Sequence, residues 1–195
     1  MDSNAQMIND IIRNRRSVFQ SQYSGEKVDD AIVEQMIENA NWAPTHKLTE
    51  PWRFIVFTGA GLEKLAREQA ELYKTVTTRD GTFKENRYEN LLQKPMLSSH
   101  IIAVAMKRDE KKSVPAVEEI GAVFCAVQNM LLTAWAYGIG AYLSTGGITY
   151  FEEAKSLFNL RDEDQLIGFV HVGRIKGEIL SGKRNHVSDK VNWVR

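Results

Sequence analysis

Two arginines and a serine, Arg15-Arg16-Ser17, follow a stretch of helical periodicity, and a second basic cluster, Gly182-Lys183-Arg184, stands near the other terminus. Guanidinium groups present forked N–H donors in a fixed geometry, so such clusters suit a phosphate or a carboxylate. On spacing alone, a solvated helix end explains the arginines equally simply. If the two clusters meet in space they form an anion pocket, but nothing in their separation along the chain brings them together.

The loop NWAPTHKLTEPWRF (41–54) places Thr45, His46, Lys47, Thr49 and Glu50 between Pro44 and Pro51. It suits three uses: a metal-binding or proton-transferring histidine, a cradle for a bound cofactor, or a plain helix-to-strand connection. His100, His171 and His186 stand at no ligand-type spacing from His46, which disfavours a metal, and no carboxylate partner for His46 is evident. Glu50 is either solvated or an acceptor for ligand hydroxyls or a ring N–H.

A third segment, YGIGAYLSTGGIT (137–149), contains neither G-x-G-x-x-G nor the phosphate-loop pattern, so a dinucleotide fold and a P-loop are both excluded. It ends a strand at Ser144, Thr145 and two glycines, where backbone amides can approach a flat heterocycle closely, or simply turn. Cys125, the single cysteine, lies in an apolar run and is expected in the core, and no G-x-S-x-G serine-hydrolase signature occurs.

The elements that position these residues follow from periodicity. Met7, Ile8, Ile11 and Ile12 define a first helix, and Val28, Ile32, Val33, Met36, Ile37 and Ala40 a second, capped at Asp29 or Asp30. WRFIVFT (52–58) is a strand, after which Leu62, Leu65, Ala66, Gln69, Leu72 and Tyr73 resume helical spacing. Residues 74–95 are polar and turn-rich and read as a mobile insertion or lid. Strands are expected at 101–107, 139–144 and 166–172, a buried helix at 116–137 closed by Gly138, and a short helix near 150 from the Thr149-x-x-Glu152 box. The tail from Gly173 is polar and belongs on the surface of this chain or of a partner.

The chain has 195 residues, with 25 Lys+Arg against 25 Asp+Glu. That size suits one domain, and the balance leaves no overall field to favour nucleic acid. Across 18 positions, 120–137 carry no formal charge. As a helix the run would span roughly 27 Å, short of a bilayer core, and Gln128, Asn129 and Thr133 would be costly in lipid. A helix buried in protein is therefore expected, and no membrane. The N-terminal MDSNAQMINDII has acidic residues and no apolar signal region, which suggests the cytoplasm.

In order, Arg15-Arg16-Ser17, Ala43-Pro44-Thr45, Pro51-Trp52-Arg53-Phe54, GIGAYLSTGG and Gly182-Lys183-Arg184 resemble the flavin-dependent nitroreductase family, nearly end to end. Length and the His46-Lys47 pair look most like its compact branch of NAD(P)H nitroreductases. The resemblance implies one α+β domain over 1–195, with a central, mainly antiparallel sheet surrounded by helices in an intertwined homodimer. Each subunit interface would hold FMN, and 120–137 would pack partly against its twin. By the same resemblance Arg15, Arg16, Ser17, Lys183 and Arg184 hold the FMN phosphate and ribityl. His46 and Glu50 would reach the flavin from the other subunit, and Leu143, Ser144 and Thr145 would lie beside the ring. The implied activity is ping-pong transfer of hydride through flavin N5, from NADH or NADPH to nitroaromatics, quinones or activated enones, with no catalytic side chain. Leu48 and Glu50 stand where the family commonly has asparagine and glutamine, which leaves a non-catalytic flavin-binding or partner-binding module as the rival.

Overall fold

A computed structural model describes residues 3–195; Met1 and Asp2 of the N-terminal stretch lie outside the described residues. The elements run α1 Ser3–Asn14, α2 Asp30–Asn41, β1 Trp52–Thr58, α3 Ala60–Arg79, α4 Glu85–Gln93, β2 His100–Met106, α5 Ala116–Ala136, β3 Ile139–Ser144, α6 Ala154–Leu157 and β4 Gln165–Arg174. Of the two aspartates that could start α2, Asp29 is the cap, its carboxylate accepting from the Ala31 N–H. Gly138, at φ 68°, closes α5 in the left-handed conformation that costs glycine little.

The four strands form one antiparallel sheet in the order β1-β2-β4-β3. Its central strands β2 and β4 are apolar on both faces because both faces are covered. On one face Ile102, Val170 and Leu143 pack against α2 and α5 through Val33, Met36, Val123 and Met130. On the other, Ile101 and Phe169 pack against Leu62, Leu65, Tyr73 and Phe158. Strand register puts Tyr142 opposite His171, on the second face.

The structure corrects three expectations. Residues 74–95 are ordered helix rather than a turn-rich insertion: α3 continues to Arg79 and α4 follows after a short turn. Its apolar positions Tyr88 and Leu91 pack at the margin of the second cluster, which the high charge of the segment conceals. Near 150 the chain makes turns, and helix begins only at Ala154, because the Thr149 hydroxyl donates back to the Gly146 carbonyl (2.8 Å) instead of capping. Cys125 is exposed. The face of α5 carrying Ala122, Val123, Ala126 and Val127 is buried, whereas Gly121, Phe124, Cys125 and Gln128, one turn apart, are open. An uncharged helix is thus covered on one side only.

Candidate active site

Residues 15–23 lie along the edge of β3. Ser17 bridges Ala141 in parallel, and the Val18 N–H donates to the Ala141 carbonyl (3.3 Å). Tyr23 locks the segment by donating its hydroxyl to the carbonyls of Val18 (2.9 Å) and His171 (3.1 Å). Glycine makes this approach feasible: a Cβ at Gly173 would fall 2.4 Å from the Tyr23 ring, and one at Gly140 2.9 Å from Val18. Arg15, Arg16 and Ser17 are thereby fixed beside the strand that ends in Ser144.

The two basic clusters meet. A Cβ on Gly182 would stand 2.6 Å from Cζ and Nε of Arg16, so the glycine backbone lies against that guanidinium. Burial, then the charges of Arg184 and Arg16, push the Arg15 pKa below the usual arginine range. Arg16 donates Nη1 to the carbonyls of Arg13 (2.6 Å) and Arg15 (2.8 Å), while its Nε is buried with no partner, the one such side-chain atom among the described residues. Among the described residues Arg15, Arg16, Lys183 and Arg184 form no ion pair. Like charges held together beside an unfilled N–H are costly unless an anion joins them, and a phosphate monoester has the acceptors to do so. The donor set fits the phosphate of FMN.

A cavity of about 640 Å³ opens at the end of β3, bordered by Ser144, Gly146 and Gly147. Leu143, by alternation, packs its half-buried side chain against the α2/α5 core and does not border the cavity. Thr145 is half-buried next to the rim. One wall is a relay of hydrogen bonds: Tyr142 donates its hydroxyl to Gln20 Oε1 (2.8 Å), and Gln20 Nε2 meets His171 Nδ1 (2.9 Å). Tyr142 also stacks on His171, ring centroids 5.0 Å apart. Burial pushes the His171 pKa down to about 4 and that of Tyr142 up to about 12, so both are uncharged at neutral pH. The opposite side is α4, which turns Arg87, Asn90 and Leu91 inward, followed at its C-terminal cap by Lys94. Gln20, Tyr142 and His171 were missed in the sequence; residues 74–95 were expected to roof the site, and the i, i+3, i+4, i+7 spacing of the last four was the available signal for which of them face it.

His46 and Glu50 do not border this cavity. Their loop packs on the start of α5, with His46 Nδ1 2.5 Å from Glu118 Oε2 and Lys47 Nζ donating to the Ser113 carbonyl (2.8 Å). The carboxylate partner of His46 thus comes from 72 residues away, beyond the reach of local spacing. Lys47, Leu48 and Glu50 hold φ of 53°, 54° and 42°, a strained conformation for side-chain-bearing residues. The Thr45 hydroxyl accepts from the Glu50 N–H (3.2 Å), and Glu50 and Leu48 face outward.

Comparison with known proteins gives a consistent picture. The family model described as Nitroreductase family matches residues 12–174, which includes Arg15-Arg16-Ser17 but ends before Gly182. A Bacillus subtilis protein named "Putative NAD(P)H nitroreductase YfhC" is 30% identical over 168 residues, 86% of this chain and 84% of that protein. The crystal structure of a nitroreductase-like family protein from Bacillus cereus superposes with a TM-score of 0.81 at 24% identity, covering 96% of this chain and 95% of that one. The FMN-dependent nitroreductase NfnB from Mycobacterium smegmatis, solved in complex with NADPH, gives 0.76 at 16% identity, covering 99% and 100%.

Proposed function

From the premise that the chain belongs to the nitroreductase family, we propose an FMN-dependent NAD(P)H oxidoreductase acting on flat, electron-poor acceptors: nitroaromatics, quinones or activated enones. The observation that carries it is the meeting of Gly182 with Arg16 and of Arg184 with Arg15, unneutralised and with Arg16 Nε unpartnered, a few residues along the chain from Phe19 and Gln20, which border the cavity.

When bound, FMN supplies two-electron transfer from NADH or NADPH to the acceptor. The chain's part is to hold, orient and exclude water. Arg15, Arg16, Lys183 and Arg184 neutralise the phosphate, and Ser17 adds a hydroxyl donor. Gly146 and Gly147 leave room for a flat ring against backbone. Burial holds His171 neutral and Tyr142 protonated at pH 7, so both enter the site uncharged. Catalysis by this chain is positioning, which is why no side chain is assigned an acid or base role.

We also propose a homodimer in the cytoplasm. The support for the dimer is apolar surface left open on three parts of the chain: Met7, Ile8 and Ile12 of α1, Phe124 of α5, and Leu180, Trp193 and Val194 of the tail. In that assembly His46 and Glu50, remote from their own cavity, would face the partner's. α5 is long and apolar enough to cross a membrane by length and hydropathy; a second copy is the cover proposed here for its open face.

The test is anaerobic addition of NADH or NADPH to FMN-loaded protein. Bleaching of the flavin supports the enzyme, whereas bound flavin that never bleaches leaves only a non-catalytic flavin-binding module. A protein that takes up no FMN defeats both.

A further inference from the structure

We infer that α4 selects acceptors bearing an anionic group, such as a carboxylate on an electron-poor ring, and that Arg87 recognises the anion; this rests on the oxidoreductase function proposed above. Leu91 fixes α4 over the ring site, since a Cβ on Gly147 would lie 3.2 Å from Leu91 Cδ2. Arg87 lies one turn before Leu91 and Lys94 one turn after, roughly 6 Å and 4.5 Å along the axis, on the face that borders the cavity. These are the two charged residues around the cavity, and no aspartate or glutamate borders it. Glu85 and Glu89, two positions either side of Arg87, project from other faces of α4.

On the adjoining α3, Lys64 pairs with Glu68, Arg67 with Glu63, and Arg79 with Asp80 and Glu153, whereas Lys74 lies over the Tyr88 ring, 5.5 Å from its centre, outside the cavity lining. Arg87 and Lys94 form no ion pair among the described residues. The facing wall is uncharged at neutral pH, so the cavity holds a net positive field with nothing of the chain's own to satisfy it. A concave site lined by one sign concentrates the opposite one, and the forked guanidinium of Arg87 matches a carboxylate.

The probe is a pair of acceptors with one ring and one nitro group, 4-nitrobenzoate and 4-nitrobenzamide. The amide withdraws electrons more strongly, so intrinsic reactivity favours the neutral compound and cannot produce a preference for the anion. FMN-loaded protein is first reduced anaerobically with NADH or NADPH; failure there defeats the underlying function alone. If reduction succeeds, wild-type kcat/KM should favour nitrobenzoate by about tenfold at low ionic strength, with the preference shrinking as salt is added. Arg87→Gln should lower the nitrobenzoate-to-nitrobenzamide ratio by about tenfold, Arg87→Lys should restore part of it, and Arg87→Glu should invert it. A wild-type ratio favouring the amide overturns the inference. So does a ratio unmoved by Arg87→Gln and Arg87→Glu, including the case in which only the KM for the nicotinamide nucleotide rises.

Discussion

Gly182→Ala tests the anion pocket without removing a charge. Gly182 is not in the left-handed region, so its backbone tolerates alanine, but the added Cβ would sit 2.6 Å from Arg16 Cζ and Nε. Ordinary contact begins at 3.4 Å, so the guanidinium must retreat by about 0.8 Å from where its orphaned Nε now points. Losing one charge-assisted hydrogen bond to a phosphate costs about 1.5–3 kcal/mol, roughly a 10- to 150-fold rise in Kd. The assay is flavin-fluorescence titration of flavin-free protein with FMN and with riboflavin, which lacks the phosphate. FMN affinity should fall by that factor while riboflavin affinity stays nearly constant. Equal losses for both flavins, or no loss for FMN, would refute the assignment of Arg16 to the phosphate.

The other expectations concern stability. His171 has its pKa depressed from 6.5 to about 4, so its contribution is complete above pH 6.5 and is lost as pH falls toward 4, in total about 3 kcal/mol. Urea unfolding from pH 7 to pH 4 should therefore be less pH-dependent in His171→Gln by about that amount; parallel profiles would contradict it. Gly173→Ala would drive a Cβ into the Tyr23 ring, 2.4 Å away, and should lower stability by about 1–3 kcal/mol in thermal unfolding, with an unchanged midpoint counting against the packing described. Glu119→Leu strands Arg108, which pairs with the fully buried Glu119 carboxylate, and should cost about 3 kcal/mol by urea titration; a neutral outcome would mean that the pair is not buried as described.

Much of the frame was legible because its signals are local. The strand at 52–58, that at 139–144 and the helix stop at Gly138 rest on β-branched content and glycine, and they appear where the periodicity places them. What was not legible depends on tertiary contact. Charge along 74–95 concealed that this roof segment is ordered helix, and Thr149 spent its hydroxyl on Gly146 rather than on a helix start. Cys125 sits in an apolar run yet points away from the core, because 120–137 supplies more apolar surface than one chain covers. The same limit applies to the site. Arg15-Arg16-Ser17 and Gly182-Lys183-Arg184 are separately weak patterns; their value lies in an encounter across the fold that no spacing encodes. His46 is the converse, a prominent loop residue whose partner, Glu118, is set by packing.

In the proposed function this chain takes electrons from a nicotinamide and later gives them to a separate acceptor at one flavin site. The most direct measurement separates the two halves: FMN-loaded protein is reduced anaerobically by NADPH or NADH, freed of nucleotide by gel filtration, and mixed with a quinone or 4-nitrobenzoate. Flavin absorbance should return in full on adding acceptor alone. Flavin that stays reduced until nucleotide is added back would contradict it.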